Sequence, residues 1–147
     1  MKPLMVLAGG FGTRLRSVVS DVPKSLAPVA GRPFIVYLID HWVKQGVVDF
    51  IFLLHYEAEK IESVLGELSC RDEFSEVSFR VVIESAPLGT GGAILNAVEQ
   101  FGVREGFLVA NADTWLGSGV KQLASSNFSA IAAVDVPNSK RYGSLKF

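Results

Sequence analysis

Residues 9–32 place Gly9, Gly10 and Gly12 beside Thr13 and Arg14, followed by Lys24 between Pro23 and Pro28. Glycines let backbone N–H groups approach an anion closely, and a guanidinium and an ammonium in the same stretch add positive charge. Such a composition suits a phosphate cradle, although a glycine-rich turn with solvated charges would contain the same residue types. Two familiar nucleotide motifs do not fit. A P-loop ends in Gly-Lys-Ser/Thr, whereas this loop offers Thr13-Arg14. A dinucleotide fingerprint needs a small residue where Leu15 stands and an acidic one where Leu54-His55 stand. Two carboxylates, Glu84 and Asp113, close later apolar runs. Asp113 alone could equally be a turn or helix-capping aspartate.

These residues have to be positioned by the elements between them. The run 4–8 is short, apolar and closed by Gly9-Gly10, as expected of a strand buried on both faces. After Pro33, residues Ile35, Leu38, Ile39 and Trp42 follow helical spacing, with Asp40 and Lys44 turned away and Gly46 as the stop. A strand over 48–54 precedes a helix with Ala58, Ile61, Leu65 and Leu68 on one face. Then follow a strand over 79–83, a helix over 90–101 with apolar Ile94, Val98 and Phe101, and a strand over 106–110. A helix at 120–125 and a strand at 130–136 complete the pattern. This alternation predicts an α/β fold with a mostly parallel sheet. Its ligands should lie outside the carboxyl ends of the strands, at Gly9, Glu84 and Asn111-Ala112-Asp113. The long connection 9–32 has no strong pattern of its own, and loops of that length are usually functional. Trp42 and Trp115 are expected to pack rather than to stack on a base.

The 147 residues, 49% hydrophobic, suffice for one core. Lys+Arg 14 against Asp+Glu 15 leaves no basic surplus for a nucleic-acid backbone or an anionic membrane. The apolar run 34–39 is far too short to span a bilayer, and no cleavage pattern follows the start, so a soluble, cytoplasmic chain is expected. One cysteine and two histidines exclude an internal disulfide and a structural zinc cage.

Two segments, Leu7-Ala8-Gly9-Gly10-Phe11-Gly12-Thr13-Arg14-Leu15 and Val22-Pro23-Lys24-Ser25-Leu26-Ala27-Pro28-Val29-Ala30-Gly31-Arg32-Pro33, resemble the signature of sugar-1-phosphate nucleotidylyltransferases. Pro87-Leu88-Gly89-Thr90-Gly91-Gly92-Ala93 resembles the family's second glycine motif, Asn111-Ala112-Asp113 its Asn-Gly-Asp metal motif, and Tyr142-Gly143 a sugar-side pair. The stretch 16–21 is most similar to heptose-1-phosphate guanylyltransferases. The resemblance implies a Rossmann-like fold with helices on both faces of the sheet. It also implies nucleotidyl transfer, GMP favoured, from a nucleoside triphosphate to a sugar 1-phosphate, with pyrophosphate released and a nucleotide sugar formed for a lipopolysaccharide or capsule. Arg14 would lie near the leaving pyrophosphate, Lys24 between the reacting phosphates, and Asp113 on Mg²⁺. Ala8, Gly9, Gly10, Gly12, Thr13, Glu84, Pro87, Gly89 and Thr90 would bind the nucleotide, and Gly143 the sugar.

A carboxylate at Glu84 could accept from both N1–H and the exocyclic amine of guanine. Ala112 departs from the family's glycine, and a positive φ there would cost roughly 1 kcal/mol. Uridylyl or thymidylyl transfer, a non-catalytic nucleotide-sugar sensor and a dinucleotide oxidoreductase are the competing readings. Family members extend well beyond this length, so residues 1–147 are expected to form the nucleotide-binding part of one domain, with the sugar-binding part absent. Weak or absent transfer and self-association through uncovered apolar surface are expected to follow.

Overall fold

The computed structural model describes residues 1–10 and 22–138. Gly12, Thr13, Arg14 and Gly143 lie outside the described residues. The apolar run at the start forms β1, Leu4–Leu7, a strand flanked on both edges and covered on both faces. Lys24–Leu26 is a 3₁₀ turn, and Pro28–Val29 (β2) pairs antiparallel with Arg32–Pro33 (β3). The chain continues through α1 (Phe34–Lys44), β4 (Asp49–Leu54), α2 (Ala58–Ser69), β5 (Ser78–Ile83), α3 (Gly89–Phe101), β6 (Leu108–Asn111) and α4 (Val120–Ser125).

The main sheet has the order β5-β4-β1-β6, with every pairing parallel. From β1 the chain steps outward to β4 and β5, then crosses back to place β6 on the other side of β1. The reversal makes the carboxyl ends of β1 and β6 the switch point at which open α/β sheets bind ligands. Period-2 alternation divides the core between the two faces. Leu4, Val6, Phe50, Phe52 and Leu54 pack with Leu38, Trp42, Ile61 and Leu65 from α1 and α2. Met5, Ile51, Leu53 and Val82 pack with Ala93 and Ala97 of α3. Helices thus cover both faces, as the alternating sequence pattern implies.

Four details differ from the sequence expectation. The innermost residues of α3 are Ala93 and Ala97, with Ile94, Val98 and Phe101 packed partly buried around them. Small side chains let the helix lie close to the sheet. The connection 9–32 contains the β2–β3 hairpin, whose two-residue strands are too short to show a period. Its turn holds Ala30 at φ 47° and Gly31 at φ 79°. Residues 130–136 do not form a strand. They have no ladder partner among the described residues, and Ile131 and Val134 are 72% and 82% exposed, so apolar composition alone does not create a strand. Trp42 is buried as expected, whereas Trp115 is half exposed and lies flat on His41, because it follows the sheet rather than entering its core.

Candidate active site

The glycine loop begins where β1 emerges between its neighbours. Ala8, nearly buried, donates its N–H to Leu53 O at 3.0 Å, and Gly9 then passes β4 so closely that a Cβ would lie 3.2 Å from both the backbone N and the Cβ of His55. Gly9 therefore meets a packing need against the residue that follows β4. Among the described residues, none lies within 4 Å of where a Cβ on Gly10 would sit.

On the other side of β1, Ala112 extends the ladder by donating its N–H to Leu7 O at 3.0 Å. Its side chain is buried in the larger core cluster. Ala30 and Glu57 are the non-glycine residues with positive φ among those described, so Ala112 carries none of the strain that an alanine in place of the motif glycine could incur. Asp113 then projects from the strand end, its Oδ1 accepting from Thr114 Oγ1 at 3.2 Å.

Lys24 comes from the far end of the sequence. Its 3₁₀ turn is fixed by Leu26 N–H to Pro23 O at 2.8 Å and by burial of Ser25 and Leu26. The fold brings Lys24 Nζ to 2.6 Å from Asp113 Oδ2 across 89 residues of sequence. Both side chains remain nearly half exposed, at 46% and 40%. The result is an ammonium and a carboxylate held together at the solvent-facing switch point. Ala8, Gly9 and Gly10 share that end of the sheet, as their place after β1 requires.

Glu84 closes β5 and is only 9% exposed. Its carboxylate Oε2 accepts the Leu88 N–H at 3.0 Å and so braces the turn that carries Pro87 into α3. Gly89 starts that helix at φ 70°, and a Cβ on Gly92 would come within 2.8 Å of Leu88 Cβ. Pro87, Gly89 and Thr90 are exposed. His55 joins the two regions: Nδ1 donates to the Glu84 carbonyl oxygen at 2.8 Å while the residue's backbone and Cβ abut Gly9. From the sequence, His55 served only to set aside a dinucleotide motif and a zinc cage. Its position just beyond β4, at the binding end of a parallel sheet, is the signal that could have found it.

Among the described residues, no group of three or more His, Cys, Asp or Glu side chains could hold a metal ion. Nor is any helix among them long and apolar enough to cross a membrane.

This chain is 33% identical over 142 residues to a D-glycero-alpha-D-manno-heptose 1-phosphate guanylyltransferase of Campylobacter jejuni, covering 96% of this chain and 61% of that protein. It is likewise 33% identical over 146 residues to the enzyme of that description from Aneurinibacillus thermoaerophilus, with the same 96% and 61% coverage. The chain thus spans about three-fifths of the length of these curated relatives. Its backbone is similar to the crystal structure of HddC from Yersinia pseudotuberculosis complexed with GMP-PN. That match has a TM-score of 0.72 and 36% identity, over 84% of this chain and 53% of that one. An inositol-1-phosphate CTP transferase from T. maritima matches with a TM-score of 0.68 and 29% identity, over 88% of this chain and 50% of that one. A family model described as nucleotidyl transferase matches residues 4–147, a span that starts with β1 and includes both Lys24 and Asp113. The strand-end architecture and this match agree, and the chain belongs to the nucleotidyl transferase family.

Proposed function

We propose that this chain forms the nucleotide-binding part of a sugar-1-phosphate guanylyltransferase and contributes residues to the transfer step. The observation that carries the reading is the Lys24–Asp113 contact of 2.6 Å, which puts a cation and a carboxylate side by side at the switch point. In the reaction, an oxygen of the sugar phosphate forms a bond to the α-phosphorus of the triphosphate. The bond from that phosphorus to the bridging oxygen of the β-phosphate breaks, and pyrophosphate leaves. No protein nucleophile is needed, so the protein's task is to align two polyanions and neutralise their charge.

Lys24 suits that task, since a compact ammonium can contact phosphates on both sides. Arg14, outside the described residues, is proposed to hold the leaving pyrophosphate. The donors at Asp113 fit Mg²⁺: an exposed carboxylate supplies hard oxygens, and one carboxylate with substrate phosphates and water is a common way to bind that ion. When bound, Mg²⁺ neutralises charge on the phosphate oxygens. Ala8, Gly9, Gly10, Gly12 and Thr13 are proposed as the phosphate cradle, and Gly143 as a sugar contact.

The guanylyltransferase relatives and the GMP-PN complex of a similar structure support guanine as the base. Glu84, with Pro87, Gly89 and Thr90, is proposed to form the base-binding rim. By bracing Leu88, Glu84 also shapes the loop in which it would meet the guanine edge. The relatives' names further support a role in nucleotide-sugar synthesis.

Two measurements on the full chain test this reading. With Mg²⁺ present, GTP should raise the thermal midpoint more than CTP, UTP or dTTP, because a ligand that binds only the folded state stabilises it. Pyrophosphate release should require a hexose or heptose 1-phosphate. Equal stabilisation by all four triphosphates would remove the guanine assignment, and pyrophosphate release that does not depend on the sugar 1-phosphate would remove the transfer.

A further inference from the structure

Beyond Asp113 the chain leaves the sheet and lies along the second half of α1. The indole of Trp115 stacks on the His41 imidazole, with centroids 4.1 Å apart and planes inclined by 25°. His41 Nε2 lies 2.8 Å from Leu116 O and 2.8 Å from the Gln45 amide nitrogen. Gln45 Oε1 accepts the Val120 N–H at 3.3 Å. One ring nitrogen cannot serve both neighbours at once. Carrying a proton it donates to Leu116 O, and without one it accepts from Gln45, so one hold persists in either neutral tautomer.

The first half of the same helix grips the segment that carries Lys24. Phe34 N–H donates to Ala27 O at 3.1 Å, Tyr37 OH donates to Val29 O at 3.0 Å, and Asp40 pairs with Arg32 at 2.6 Å. A single rigid helix therefore fixes both flanks of the Lys24–Asp113 contact. Such fixing is needed, because two nearly half-exposed side chains have little intrinsic attraction with which to hold one geometry.

We propose that His41 and Gln45 are positioning residues which, by pinning Trp115, Leu116 and Val120 to α1, hold Asp113 against Lys24. Neither side chain belongs to the buried core. The functional meaning rests on the nucleotidyl-transfer reading above, but the pinning itself is tested without any ligand.

The test is a double-mutant cycle on thermal midpoints of the full chain, using Lys24→Met, Asp113→Asn and the double variant. The cycle is run with α1 unmodified, then in His41→Ala and Gln45→Ala backgrounds. The two site substitutions should be non-additive in the unmodified chain, additive with His41→Ala and closer to additive with Gln45→Ala. Amide hydrogen exchange at Thr114, whose N–H donates to Asn111 O at 3.3 Å, and at Val120, whose N–H donates to Gln45 Oε1, should quicken about tenfold in His41→Ala, while Leu108–Asn111 stays unchanged. His41→Asn, which keeps a side-chain donor, should restore part of the protection, and with Gln45→Ala it decides the matter if His41→Ala does not fold. Additivity in the unmodified chain, or coupling and protection that survive these substitutions, would overturn the proposal. If coupling behaves as expected but no triphosphate stabilises the protein, the functional reading fails while the positioning role stands.

Discussion

β4 and β6 are both parallel neighbours of β1, yet they are built differently. In β4, residues Phe50 to Leu54 are no more than 1% exposed, with β1 and β5 on its edges and helices on both faces. β6 alternates between half-buried and exposed positions, Val109 is 43% exposed, and β1 is its one strand partner among the described residues. The difference separates two duties. β4 supplies apolar burial, the main favourable contribution to folding, while β6 delivers Asp113 to the switch point with little burial of its own.

The comparison breaks most visibly if β4 is emptied. Phe52→Ala should cost about 3–5 kcal/mol, because a fully buried ring next to Phe50 and Phe79 leaves a cavity that its neighbours only partly fill. Urea unfolding would measure it; a loss under 1 kcal/mol would mean that β4 is not the stability centre. Changes at the site should do the reverse. Lys24→Met and Asp113→Asn should each lower turnover about 10²- to 10³-fold, the cost of removing one group that stabilises charge in the transition state. Their unfolding midpoints should fall only by the coupling of an exposed pair, about 0.2–1 kcal/mol and a fraction of the Phe52→Ala loss. Near-normal pyrophosphate release by either variant would dissociate the contact from catalysis. The smallest effect concerns the hairpin beside Lys24: Ala30→Gly should stabilise the protein by about 0.5–1 kcal/mol by relieving a positive φ at an alanine. A loss of stability would show that the Ala30 side chain makes compensating contacts.

The sequence disclosed what depends on local pattern. β1 and β4 are covered on both faces, so they read as continuous apolar runs. The helical faces of α1 and α2 were legible because Leu38, Trp42, Ile61 and Leu65 recur at helical spacing. The inner face of α3 was not, because Ala93 and Ala97 carry little hydrophobic weight beside Ile94 and Val98. Lys24 and Asp113 were recognisable from their motifs, but their 2.6 Å contact depends on β6 crossing to the far side of β1. Glu84 was singled out for its charge, whereas its bond to the Leu88 N–H is a consequence of turn geometry that composition does not encode. Residues 130–136 misled for the opposite reason, since their apolar content has no neighbouring strand to pair with among the described residues.

The crossing that places β6 beside β1 also sets a timetable. During synthesis at about 5–20 residues per second, the 89 residues separating Lys24 from Asp113 take roughly 4–18 s to appear. β4 can pair with β1 early in that interval, but the opposite edge of β1 stays open until residues 108–111 arrive. The two halves of the candidate site are thus joined late, by a long-range pairing of the kind that slows folding, and the nascent chain meanwhile presents an apolar strand edge to which other chains could bind.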